Sequence, residues 1–152
     1  MELRNQIEIN APREFVASYL RSSEHFGKWQ DDFQSATLLS GDKDQVCAQT
    51  RMLYKFGKSD MELIETIRKN NLPNSFEALY EHKHMDNTML STFEDLGNDK
   101  TLYSTQVNYI EMKGLMIKIM AKLFSGKFKK GPEKWMQQFK TLVESEYQKS
   151  IN

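Results

Sequence analysis

The chain has 152 residues, with 21 basic and 21 acidic side chains and a formal net charge of zero, so it has room for one core and no overall attraction to nucleic acid. A hydrophobic fraction of 39% and a charged fraction of 28% fit a soluble globular protein. The single cysteine, Cys47, excludes an intramolecular disulfide framework, and no run reaches the roughly 18 apolar residues of a membrane span.

The start, MELRNQIEIN, is charged and strand-like, with no apolar signal region. Together with the lone cysteine this leads to the expectation of a cytoplasmic protein forming a single domain over residues 1–152. In LRNQIEI, Leu3, Ile7 and Ile9 face one way and Arg4, Gln6 and Glu8 the other, the pattern of a half-buried strand. Asn10 is then placed to cap a helix, with Pro12 in its first turn and Phe15, Val16, Tyr19 and Leu20 on its buried face. Ser22-Ser23 begin a second short helix that carries Phe26 and Trp29.

Between residues 32 and 111 the period changes to two. Strands are predicted near 32–41, 45–56, 60–70, 75–85, 88–96 and 100–111, separated by turn-formers such as Gly41-Asp42, Gly57-Lys58, Asp86-Asn87 and Gly97-Asn98-Asp99. Such short connections imply an antiparallel meander. After Met112 the pattern is helical, and Pro132 is expected to break it in two, with Trp135, Met136, Phe139, Leu142 and Val143 on one face of the second piece. The stretch GLMIKIMAKLFSGKFKKG lies in the first piece, and residues 113–134 carry a local charge of +6 on an otherwise acidic chain.

Ile7-Glu8-Ile9-Asn10-Ala11-Pro12-Arg13-Glu14-Phe15-Val16, followed by Tyr19-Leu20 and Trp29, resembles the opening of the START/polyketide-cyclase (SRPBCC) superfamily. There a strand ending in an Ala-Pro pair leads into a helix and then a tryptophan. Tyr103-Ser104-Thr105-Gln106-Val107-Asn108-Tyr109 sits where the superfamily's last strand runs into its closing helix. The resemblance implies an α+β helix-grip fold. In it a curved seven-stranded antiparallel sheet surrounds a long C-terminal helix, with two short helices after strand 1 and a hydrophobic cavity between sheet and helix. It says little about function, because the superfamily includes lipid carriers, aromatic cyclases, hormone receptors and chaperone activators. The turn Gly41-Asp42-Lys43-Asp44 departs from the glycine pairs that members often have in their hairpins.

Alternation selects the inward side chains. For ligand binding these are Met52, Tyr54, Phe76, Tyr80, His82, Phe93, Tyr103 and Tyr109 from the strands, with Met116 and Met120 from the helix. The mixture of apolar bulk and a few hydroxyls suits a mainly apolar ligand, and nine methionines suit a deformable lining. His82 and His84 share a strand face but lack a third ligand, so no metal is assigned, and no cofactor is implied. His82 is also the one weak candidate for a general acid or base, with the cavity tyrosines as partners. Cys47 has no local activator and is expected as a buried or half-buried structural thiol, while Arg51 and Arg68 fall on outward faces.

These residues point to non-covalent binding or transport of a hydrophobic or amphipathic small molecule, lipid-like or aromatic. Two alternatives stand beside it. One is a cyclase or dehydratase using His82. The other is an interaction module resembling the chaperone activators. Separately, Lys118, Lys122 and Lys129 are expected to form a face for peripheral contact with an acidic membrane or protein surface.

Overall fold

Alternation at the start of the chain becomes a strand, β1 (Glu2–Ile9), with Leu3, Asn5 and Ile7 half-buried and Ile9 fully buried. The structure, a computed structural model, describes residues 2–56, 58–115 and 125–152, without the side chains of Phe56 and residues 125–130. After β1 come α1 (Arg13–Leu20), a 3₁₀ turn (Ser23–His25) and α2 (Phe26–Trp29). Six strands follow: β2 (Phe33–Ser40), β3 (Gln49–Phe56), β4 (Ser59–Asn71), β5 (Ser75–Glu81), β6 (Met85–Gly97) and β7 (Lys100–Met112). The last described element is α3 (Ser125–Ile151).

The strands form one seven-stranded sheet in the order β1-β7-β6-β5-β4-β3-β2, antiparallel throughout. From β2 to β7 each strand pairs with its successor. Only the step from β1 to β2 crosses the sheet from edge to edge, and α1 and α2 span it. Register shifts in the β2/β3, β4/β5 and β6/β7 ladders add the local bends that curve the sheet. Its concave side is closed by α3, which buries Met136, Phe139 and Val143. Phe139, with no exposed surface, has its ring centroid 5.0 Å from Trp29 and 5.2 Å from Tyr103. This is the α+β helix-grip architecture that the opening motif implies, with short helices after the first strand.

Four local expectations are corrected. Pro132 lies inside a continuous α3, since a proline forfeits only one interior hydrogen bond and the buried face that follows anchors the helix on the sheet. Asn10 does not cap α1. Pro12 occupies the N-cap position without a side-chain hydrogen bond, and the Asn10 backbone N–H donates to Glu144 Oε1 of α3 at 2.9 Å. Cys47 is exposed, because the chain turns between Asp42 and Ala48 and β3 begins only at Gln49. A φ of 73° at Cys47 belongs to that turn. The strand predicted over 75–85 stops at Glu81, where His82 and Met85 exchange backbone hydrogen bonds of 3.1 and 3.2 Å and close a hairpin.

Candidate functional site

Inward positions on five neighbouring strands leave a cavity of about 330 Å³ under α3. Met52 and Tyr54 of β3, Phe76 and Tyr80 of β5, and Tyr103 and Tyr109 of β7 all line it. From the helical side it is bounded by Phe26, Trp29 and Gln30, and by Gly131, Pro132, Trp135 and Met136 of α3. A Cβ built on Gly131 would meet no described atom within 4 Å.

One wall is aromatic. Tyr54 and Trp135 stack with centroids 5.6 Å apart, and Trp29 meets Trp135 edge-on at 6.4 Å. The Tyr54 hydroxyl donates to Gln30 Oε1. Trp29 Nε1 is covered by protein and has no hydrogen-bond partner among the described residues.

Another part of the lining is charged. On β4 the inward series Leu63, Glu65, Ile67 places a carboxylate where an apolar side chain is expected, and Glu65 is only 2% exposed. Arg21, just beyond the end of α1, meets it end-on, with Nη1 to Oε2 at 2.9 Å and Nη2 to Oε1 at 2.8 Å. The Arg21 Nε–H donates to Asp44 Oδ1 at 3.1 Å, and the guanidinium carbon lies 4.3 Å from the Phe76 ring centroid. Tyr80 completes the cluster, its hydroxyl donating to Glu65 Oε2 at 2.8 Å. Burial opposes the charge on Arg21, yet the hydrogen bonds and charge of Glu65, with Tyr80 and Asp44 behind them, outweigh it and raise the guanidinium pKa above its ordinary value. Neither Arg21 nor Glu65 stands out in the sequence reading. The only signal for either was a glutamate at an inward position of an otherwise apolar alternation.

The tyrosines keep their protons. Burial, then the charge of Glu65, pushes Tyr80 well above the ordinary value. The same two causes raise Tyr54, burial raises Tyr109, and burial pushes Tyr103 up to about 12. At neutral pH these groups are protonated hydroxyls, not phenolate bases.

The structure separates other expected site residues from the cavity. His82 is not among the lining residues. It sits in the β5–β6 hairpin, where its Nδ1 accepts from the His84 backbone N–H at 3.2 Å. Its pKa is lowered, by burial first and then by the nearby His84, Lys83 and Lys113. Phe93 is buried behind the wall and stacks on Tyr103 at 5.0 Å and 10°. Met116, Met120, Lys118 and Lys122 lie outside the described residues, as does the side chain of Lys129. Among the described residues no three His, Cys, Asp or Glu side chains group as a metal site, and no helix is long and apolar enough to cross a membrane.

Neither a protein-family model nor a curated sequence matches the chain. Solved structures match it over nearly its whole length. A conserved protein from Geobacillus kaustophilus aligns with a TM-score of 0.79 at 14% identity, covering 95% of this chain and 96% of that one. A START superfamily protein from Mycobacterium smegmatis gives 0.75 at 17% identity, covering 95% and 97%. The Zhui aromatase/cyclase from a Streptomyces species gives 0.73 at 8% identity, covering 100% and 96%. The chain has the helix-grip fold of the START/polyketide-cyclase superfamily, and at these identities the likeness speaks to the fold alone.

Proposed function

We propose that this chain, a single helix-grip domain of the cytoplasm, binds a hydrophobic or amphipathic small molecule non-covalently between the sheet and α3. The observation that carries the proposal is the cavity itself. At about 330 Å³ it is at the small end of the range that encloses small-molecule ligands, and its lining is mostly apolar and aromatic with a few fixed polar groups. Burial of apolar ligand surface, at roughly 25 cal/mol per Å², supplies the attraction, less the cost of ordering both partners. The shared fold with a START superfamily protein and an aromatase/cyclase supports ligand binding in general terms. Catalysis through His82 is not proposed, because that residue sits in a hairpin and is not among the residues that line the cavity.

Native mass spectrometry of detergent-free protein, with extraction of whatever it carries, tests the reading. The expected result is one small-molecule adduct per chain, lost in Met89→Trp, which adds bulk to a lining position. A protein that carries nothing, and whose melting temperature is unmoved by a panel of apolar and amphipathic compounds, overturns it.

A further inference from the structure

The polar corner and the aromatic wall together specify which class of molecule the cavity accepts. The inference rests on the binding reading above and deepens it. We propose that the cavity selects uncharged, ring-bearing ligands with a hydroxyl or N–H to donate, and that it rejects carboxylates.

Charge is the first reason. Among the described residues that line the cavity, the only ionised side chains are Arg21 and Glu65, and they are paired to each other. The Arg21 guanidinium also serves Asp44, so one positive charge already faces two negative ones. Three of its five N–H groups are taken, and it packs against the Phe76 ring. A ligand carboxylate would enter as a third negative charge beside a pair whose side chains are 15% and 2% exposed. A buried charge without its own partner is expensive. The remaining polar groups among the described lining residues, including Gln30, Asn87, Ser91 and Thr105, are neutral and offer no countercharge.

Hydrogen-bond direction is the second. Tyr80 spends its hydroxyl proton on Glu65, so its oxygen retains only acceptor capacity toward a ligand. The matching ligand group is a donor. The third reason is shape and surface, since eight of the 22 described lining residues are aromatic, Trp135 and Tyr54 stacked among them. Flat rings gain stacking and edge contacts against such walls that a flexible chain cannot match without losing rotamer freedom.

Calorimetric titration of the full chain at neutral pH with two matched pairs separates the possibilities: naphthalenemethanol with naphthoate, and octanol with octanoate. We expect naphthalenemethanol to bind most tightly and naphthoate at least about tenfold more weakly, the scale of a modest uncompensated charge effect. A gap below that, or a reversed one, overturns the selection against carboxylates. Octanol binding as tightly as naphthalenemethanol overturns the preference for rings. Asp44→Asn removes one of the two negative charges at a partly exposed position outside the lining, and should narrow the alcohol–carboxylate gap. An unchanged gap would show that the Arg21 cluster is not its source and overturns the charge argument. If none of the four compounds binds, the binding reading itself fails, which is a different outcome from a wrong preference among ligands that do bind.

Discussion

Two ion pairs in this molecule are alike in formula and opposite in surroundings. Arg21–Glu65 closes at 2.8 Å with side chains 15% and 2% exposed, and Lys113–Asp86 closes at 3.1 Å with side chains 38% and 15% exposed. The first is bidentate and capped by a tyrosine hydroxyl. The second joins the end of β7 to the β5–β6 hairpin, where Lys113 Nζ also reaches the His82 carbonyl at 3.4 Å. Geometry and solvent decide what each pair does. At the cavity corner each charge is committed to the other because water cannot replace either partner. At the hairpin water and salt share the load, so the pair is a local fastening.

The contrast is most exposed to disproof at Arg21. Arg21→Met leaves Glu65 buried without its countercharge, and urea unfolding should show a loss of about 3–5 kcal/mol. The double variant Arg21→Met/Glu65→Leu should recover much of that loss, because two apolar side chains of similar bulk replace both ions. A single-variant loss no greater than that of a surface pair would erase the distinction between the two regions.

A smaller effect sharpens it from the loop that carries Asp44. Gly41 has a φ of +78°, and a Cβ there would stand 2.9 Å from the Ala48 Cα, a clash with backbone that cannot swing aside. Gly41→Ala should therefore cost about 1–3 kcal/mol in thermal or urea unfolding. It should also displace the loop that brings Asp44 to the Arg21 Nε–H. Full wild-type stability in this variant would mean that the loop does not hold the outer side of the cluster in place.

The smallest effect belongs to the hairpin. Lys113→Ala should cost no more than about 1 kcal/mol, with part of even that lost in high salt. It also removes one of the positive charges that depress His82, so the His82 midpoint, followed by proton NMR, should rise toward the ordinary 6.5. The sign follows from linkage. A histidine with a depressed folded pKa leaves stability intact above pH 6.5 and reduces it as pH falls from 6.5 toward the folded value, because the unfolded chain takes up the proton first. A wild-type His82 midpoint above 6.5 would contradict both its partial burial and its positive neighbours.

Much of the sheet was legible because strand periodicity is local. Tyr103, Thr105 and Val107 are buried while Ser104, Gln106 and Asn108 are only half-buried, as alternation requires, and Arg51 and Arg68 are exposed. The cavity positions of Met52, Tyr54, Phe76, Tyr80, Tyr103 and Tyr109 follow from the same rule once the sheet has a concave side. His82 escaped it because the three hairpin residues from His82 to His84, between Glu81 and Met85, suspend the alternation that would have turned its ring inward. Cys47 escaped it for a related reason, its positive φ placing it in a turn where strand periodicity no longer applies.

By itself the amino-acid order determined which elements form and which faces they bury, since those depend on spacings of two to four residues. It also carried the Ala-Pro opening that resembles the helix-grip superfamily. The tertiary structure alone decided that Pro132 stays within one continuous helix. It also decided that Arg21 and Glu65, 44 residues apart, meet at the end of the cavity. Their meeting depends on where the Arg21 side chain leaves the end of α1 and on the loop from Gly41 to Ala48 delivering Asp44. No local pattern encodes such a long-range juxtaposition, because its driving force, the cost of leaving a buried charge alone, exists only once the chain has folded.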